Sequence, residues 1–401
     1  MEERSSNRWM KCSKLIVIIV AIFICLSFTN TVSASTSTSI TNIETGVLDK
    51  VSLDKVQKHW NKLIGDYGGY LPALEKSSLS EFIKSNGSFS VKHTLIGIGE
   101  YLFHEIIVNG KLLGLLLMLT LFSVLLQTMH TAFEHSAVSK IAYFTVYLVL
   151  LFIALNSFYL VFSYTKDAID GMSSFLLALL PLILGLMATF GSLITVSFFH
   201  PIIVFLIFAS GVLVSNFVLP LLFLSALLLI VSTLTESYKV TYLANLLKST
   251  SIGVLGVFLT IFLGVLSVQG AASAIQDGVA MKTAKFITGN FIPIVGRTFT
   301  DAADTILTAS LLLKNSVGIV GLIVIVCIAL FPALKIFTIA FVYKVAAAVL
   351  QPLGDGPIIT CLNVISKHIM YILVSLIAVT IMFFLAIVIL VAAGNLTLML
   401  R

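Results

Sequence analysis

The sequence predicts an all-α polytopic membrane protein with about seven to nine transmembrane helices, and three observations carry that prediction. Charged residues make up 10% of the 401 and hydrophobic residues 59%, whereas soluble domains carry about 25% charge. Mean hydropathy is +1.10. Apolar runs of the length a bilayer crossing needs, about 20 residues, recur from residue 110 onward, and residues 193–234 contain no Asp, Glu, Lys or Arg. A soluble core cannot absorb that much apolar surface. The net charge of +6 is not a nucleic-acid signature, because Arg4, Arg8, Lys11 and Lys14 share the N-terminal tip and the other basic residues form no run.

That tip, residues 1–34, reads as a signal peptide. Basic MEERSSNRWMKCSK precedes apolar LIVIIVAIFICLSF, and Val32 and Ala34 offer the small residues a signal peptidase requires. Cleavage is expected close to Ala34, with an uncleaved anchor helix as the alternative. Residues 35–109 are exported on either reading. Cys12 and Cys25 fall in the signal peptide, and Cys327 and Cys361 in or beside membrane helices. The exported region therefore has no disulfide and must fold by packing.

Residues 35–109 read as a polar linker followed by a small helical region. STSTSITN at 35–42 is linker. Leu48, Val51, Val56, Trp60 and Ile64 then mark one helical face, closed by Gly68-Gly69, since glycine tolerates the left-handed cap. A short helix is expected over 77–85. Apolar residues at 91, 95, 98, 102 and 106 predict an amphipathic helix over 91–109, lying on the outer membrane surface.

The membrane part divides into two N-terminal helices, 110–170, and two units, 171–282 and 283–401. Candidate spans are 112–129, 141–163, 172–190, 201–218, 219–234, 252–272, 317–333, 334–350 and 369–394. The short 219–234 and 334–350 are alternatively re-entrant or tilted. With residue 35 outside, the 163–171 loop is outside and acidic. The 235–250 loop, Lys344 and Lys367 are inside, in line with the positive-inside rule.

The two units look like tandem, parallel copies. FLLALLPLILG at 175–185 aligns with FITGNFIPIVG at 286–296, and Pro181 to Pro220 and Pro293 to Pro332 are both 39 residues apart. Asn245…Lys248 recurs as Asn363…Lys367. Parallel repeats about an axis along the membrane normal occur in transporters. Pro181, Pro220, Pro293, Pro332, Gly354 and Gly356 are the expected helix-break positions, the two glycines forming a tight turn in GDGP.

Motifs for catalysis are missing from the sequence. His104-Glu105 begins like a zinc-protease helix, but position 108 is Val, so the second imidazole is absent. There is no P-loop and no Gly-x-Ser-x-Gly elbow. The expectation is a protein without catalytic, cofactor or metal residues. The polar residues that call for explanation at membrane depth are Lys285, Arg297, Asp301, Asp304 and Lys335. Arg297 precedes Asp301 by four residues, within i,i+4 pairing distance. That face is either self-neutralised or a polar lining or docking face. The long Lys335 stem permits snorkelling or pairing with a carboxylate.

The strings YLFHEIIVNGKLLG, KFITGNFIPIVGR, DAADTILTASLLLKNSVGI, LQPLGDGPII and AAGNLTLML resemble the stage III sporulation protein AE family of endospore-forming bacteria, from about residue 50 to the end. The resemblance implies a multi-pass protein of the mother-cell membrane around the forespore. It implies membership of a secretion-like channel, or feeding tube, that supports late forespore gene expression. The implied partners are ring-forming proteins, a cytoplasmic ATPase, small membrane subunits and, indirectly, the forespore-side channel protein. The lipid bilayer is a partner and nucleic acid is not. An alternative is a secondary transporter moving small metabolites through the repeat interface.

Overall fold

A computed structural model describes residues 54–71, 79–84, 91–132, 137–189, 193–234, 240–291, 295–353 and 356–399, with the side chains of 126–140, of 284–312 and of several residues at helix ends outside that description. The chain divides into compact units Met1–Thr45 and Gly46–Arg401. The first, with the expected signal peptide, lies outside the described residues, and everything below concerns the second.

No strand occurs among the described residues. In chain order the helices are α1 Asp54–Tyr67, α2 Leu79–Lys84, α3 Val91–Val108, α4 Gly110–Ala132, α5 Ala137–Thr189, α6 Leu193–Leu213, α7 Leu219–Leu234, α8 Thr241–Phe291, α9 Val295–Leu350 and α10 Pro357–Met399. Six stretches are long and apolar enough to cross a membrane: Lys92–Leu125, Phe144–Ala188, Thr195–Thr233, Thr241–Ala280, Leu313–Leu350 and Pro357–Asn395. The protein is thus an all-α polytopic membrane protein, with six such helices where hydropathy alone predicts seven to nine.

The difference arises because expected neighbours fuse. Helix α5 runs through Pro181 and α9 through Pro332. Pro220 is the second residue of α7, and a π-helical turn, Val214–Val218, joins α6 to α7 without a gap. These three prolines are therefore not breaks. A proline removes one N–H and crowds the carbonyl four residues earlier, and membrane helices accommodate this by local widening and neighbouring groups. The π turn ahead of Pro220 is such a widening. Gly356 sits at a helix boundary, its carbonyl accepting the Thr360 N–H at 3.2 Å. Pro293 and Gly354 lie outside the described residues.

Helices α3 and α4 also form one rod. The Asn109 N–H bonds the Glu105 carbonyl at 3.0 Å and the Leu113 N–H bonds the Asn109 carbonyl at 3.1 Å. The inward face of α3 is Gly97, Tyr101 and Glu105, while Leu95, Ile96, Phe103 and Ile107 are exposed. Glu105 is partly buried, and the exposed face carries these apolar residues together with Lys92, His93, Glu100 and His104. Residues 91–108, expected as a separate amphipathic helix over 91–109, thus continue into the apolar stretch Lys92–Leu125. Helix α4 buries Thr120 and Ser123 and exposes Met118, Phe122 and Leu125. The buried hydroxyls satisfy themselves within their helices, as Thr120 does on the Leu116 carbonyl at 2.7 Å and Ser210 on that of Leu206 at 2.6 Å.

Two long antiparallel hairpins form the centre. In the first, α6–α7 pairs with α8: the Thr195 N–H meets Asp277, Ser251 donates to the Val218 carbonyl and Ser225 to the Ala244 carbonyl. As the chain advances from 195 to 218 to 225 on α6–α7, the partners on α8 retreat from 277 to 251 to 244. In the second, α9 pairs with α10 through Lys314–Asn395, Ser366–Ala340 and Lys344–Asn363. Glycine permits close approach to α10 at Gly318, where a Cβ would meet Val391, and to α5 at Gly321, where one would meet Leu179. The Ser225–His368 contact at 3.2 Å sets the hairpins side by side with their turns at the same end.

Candidate functional site: a polar and aromatic junction on α9

The sequence of α1 places Val56, Trp60 and Leu63 on one face, and all three are buried. Trp60 packs on Phe82 of α2 at 5.1 Å and His59 stands edge-on to Phe175 of α5 at 5.8 Å. A 3₁₀ turn, Gly68–Tyr70, ends α1. It can do so only because Gly97 lacks a side chain, since a Cβ there would overlap the Tyr70 carbonyl oxygen.

This close approach delivers an aromatic cluster to the middle of α9. Tyr67 stacks on Phe331 at 3.9 Å with planes 4° apart, and Tyr101 meets Phe331 edge-on at 4.8 Å. Tyr70 closes on Tyr101 at 5.0 Å and faces His104 at 6.3 Å. One turn further along α9, the Lys335 Nζ lies 3.8 Å from Glu105 Oε1 and 5.4 Å from the centre of the Tyr164 ring. Lys335 thus pairs with a carboxylate. Pro332 lies between the stacked Phe331 and the ion-paired Lys335, so the N-terminal helices grip α9 where its backbone ladder lacks a donor.

Electrostatics follow burial. The Tyr67 hydroxyl is pushed up to about 12, first by burial, then by the nearby Asp66 and Glu105 carboxylates and by Tyr164. The His59 imidazole is held below its ordinary value by burial and, further, by Lys62 and Lys58. Both groups are neutral at pH 7. These neutral groups and the Lys335–Glu105 ion pair hold α1 and α3 against α9. Among the described residues no group of three or more His, Cys, Asp or Glu side chains could hold a metal.

A second polar feature sits at the far end of the α9–α10 hairpin. Lys314 is fully buried. Its ammonium donates to the Val391 carbonyl at 3.0 Å and to Asn395 Oδ1 at 2.7 Å. Gly394 makes room for it, since a Cβ there would collide with Nζ. Sequence reasoning missed this site, although a lone lysine inside the run LLLKNSVG signals a buried partner. It also missed Glu105 as the partner of Lys335, having weighed that residue only as half of a zinc motif. Lys285, Arg297, Asp301 and Asp304 lie on α8 and α9, and their side chains fall outside the described residues.

The family described as Stage III sporulation protein AE matches this chain over residues 74–394. The chain belongs to that family. It is similar to the Stage III sporulation protein AE of Bacillus subtilis (strain 168), with 56% identity over 348 residues that make up 87% of each chain. No solved structure matches it. The family match encloses Glu105, Lys335, Lys314 and Gly394, and begins after α1.

Proposed function

We propose that this sporulation protein is an integral-membrane component of the mother-cell-to-forespore channel apparatus, and that its role is non-catalytic. The observation that carries the reading is the family match across the whole membrane region, together with six apolar helices. On this reading the N-terminal region is exported into the space between the two forespore membranes. Helices α1 and α2 meet the ring-forming subunits there, and the junction at Phe331 and Lys335 transmits that contact to α9. A cytoplasmic ATPase supplies the energy, and small membrane subunits complete the assembly in the outer forespore membrane.

The tandem repeat belongs to the same proposal. The proposed units, 171–282 and 283–401, are each centred on a long antiparallel hairpin, α6–α8 and α9–α10, with the two turns at one end, an arrangement that supports two parallel copies. The polar face at Lys285, Arg297, Asp301 and Asp304 is then a feature of the second copy alone, as lining or docking surface.

Affinity purification from sporulating cells tests the reading. The tagged protein is expected to bring down ring proteins and the ATPase, and Arg297→Glu is expected to lower spore yield. Absence of every channel subunit, with ion-coupled solute uptake by the purified protein in liposomes, would replace it with the transporter reading.

A further inference from the structure

The π turn that joins α6 to α7 points one amide out of the bundle. Val214, Ser215 and Val218 are buried, whereas Asn216 and Phe217 between them are exposed. The Asn216 amide has no hydrogen-bond partner among the described residues, while Asn109, Asn245, Asn363 and Asn395 each engage one. Its depth matters. Asn216 lies in Thr195–Thr233, a stretch of 39 residues without a charge. A crossing takes about 20 residues, so any crossing within this stretch that starts at residue 197 or later contains Asn216. Asn156 of α5 is also exposed, but a crossing within Phe144–Ala188 that starts beyond it leaves it out.

An amide facing hydrocarbon finds neither donor nor acceptor there, and a helix of another molecule can supply both. The adjoining helix leaves room for one. Ser251 of α8 donates to the Val218 carbonyl, and the antiparallel register then sets Gly253 at the depth of Asn216. Gly253 and Gly256 are exposed, and nothing lies within 4 Å of a Cβ at either. Small residues of this kind let helix backbones approach. The same two helices expose Phe205, Phe208, Val212 and Val257. Two copies of one chain inserted the same way hold Asn216 at equal depth. A two-fold axis along the membrane normal brings their amides face to face, each donating an N–H to the other's carbonyl. No other partner is matched in depth and in hydrogen-bonding sense by symmetry alone.

We propose that the outward face of the π turn and α8 is an interface for a second copy of this chain, the two Asn216 amides pairing reciprocally. The interface stands apart from the junction at Lys335 and does not depend on the channel reading.

The test uses the full-length protein in phosphatidylcholine vesicles. Donor- and acceptor-labelled copies are mixed, and energy transfer is followed as protein is diluted into lipid. Transfer is expected to saturate with protein density. A reciprocal pair of interhelical hydrogen bonds in a bilayer is worth about tenfold in affinity, so Asn216→Leu should move the midpoint to about tenfold higher density. Asn156→Leu should leave the midpoint in place. Gly256→Leu should abolish transfer with helical content unchanged, because the single copy has open space there. In native membranes, Asn216→Cys combined with Cys12→Ser and Cys25→Ser should form an oxidised dimer, Cys327 and Cys361 being buried. That readout holds even if a leucine variant fails to fold. Transfer absent from the wild type at every density, an unmoved midpoint in Asn216→Leu, or an equal shift in Asn156→Leu would each overturn the proposal. So would full transfer in Gly256→Leu, or a cysteine variant that stays monomeric or crosslinks only to another protein.

Discussion

Replacing Gly97 with alanine should undock the N-terminal helices from the membrane bundle. The new methyl group would occupy the position of the Tyr70 carbonyl oxygen, a backbone atom with no rotamer to escape into. Either α3 is overpacked in place, at about 1–3 kcal/mol, or the Gly68–Tyr70 turn retreats. Retreat loosens three ring contacts, Tyr70–Tyr101, Tyr67–Tyr101 and Tyr67–Phe331, each worth about 0.5–1.5 kcal/mol. Both routes meet near 2 kcal/mol, roughly a thirtyfold rise in the undocked population. Trp60 reports it, being buried against Phe82; a Trp9→Phe background removes the other tryptophan. Emission should shift to the red, and trypsin should cut after the exposed Lys55, Lys58 and Lys62 about thirty times faster. Gly99→Ala is the control, because nothing lies within 4 Å of a Cβ there. Unchanged emission together with a cutting rate within about twofold of wild type would refute the argument that Gly97 exists for this approach.

Other expectations follow from the same geometry. A double-mutant cycle on Glu105→Gln and Lys335→Met should give a coupling of about 1 kcal/mol or less in thermal unfolding, because Lys335 keeps 30% of its side chain exposed; that coupling should shrink in high salt. Asn395→Leu should cost about 2–3 kcal/mol by removing one acceptor from the buried Lys314 ammonium, while Lys314→Met should be near neutral and should abolish the Asn395 effect in the double variant. The lowered folded-state pKa of His59 makes the unfolded state bind more protons as pH falls. Its contribution is present above the ordinary value of 6.5 and is lost as pH falls through the folded-state pKa, so Trp60 emission should redden on acidification and His59→Gln should flatten the response. Gly321→Val should destabilise the bundle by about 1–3 kcal/mol through collision with Leu179, read as a lowered Tm.

Hydropathy made the class legible and miscounted the helices, for a physical reason. A charge-poor run such as Thr195–Thr233, 39 residues long, is about 58 Å of helix against about 30 Å of hydrocarbon. Counting by bilayer thickness therefore splits it, and Pro220 offers an obvious place to cut. Sequence alone does not tell that a π turn absorbs the proline. The Val56–Trp60 face was legible because α1 is an ordinary amphipathic helix facing a protein surface. In α3 the apolar spacing did not mark the inward face, which is Gly97, Tyr101 and the partly buried Glu105, while Leu95 and Phe103 are exposed. Lys335 was legible as a residue that needs a partner, whereas Glu105, 230 residues earlier in the chain, could be assigned only once α3 and α9 were seen to lie together.

The buried end of the α9–α10 hairpin has a consequence for salt. The Lys314 ammonium sits among a carbonyl and an amide oxygen, ligands a hard monovalent cation would accept. It is in effect a cation on a leash. A dissolved ion in that place would exchange with the medium, and its hold on the two helices would vary with concentration. A tethered one does not exchange, so this buried clasp should be indifferent to ionic strength, whereas the partly exposed Lys335–Glu105 pair should weaken as salt is added. Changes in the ionic medium would then act on the N-terminal junction while the far end of the hairpin stays fastened.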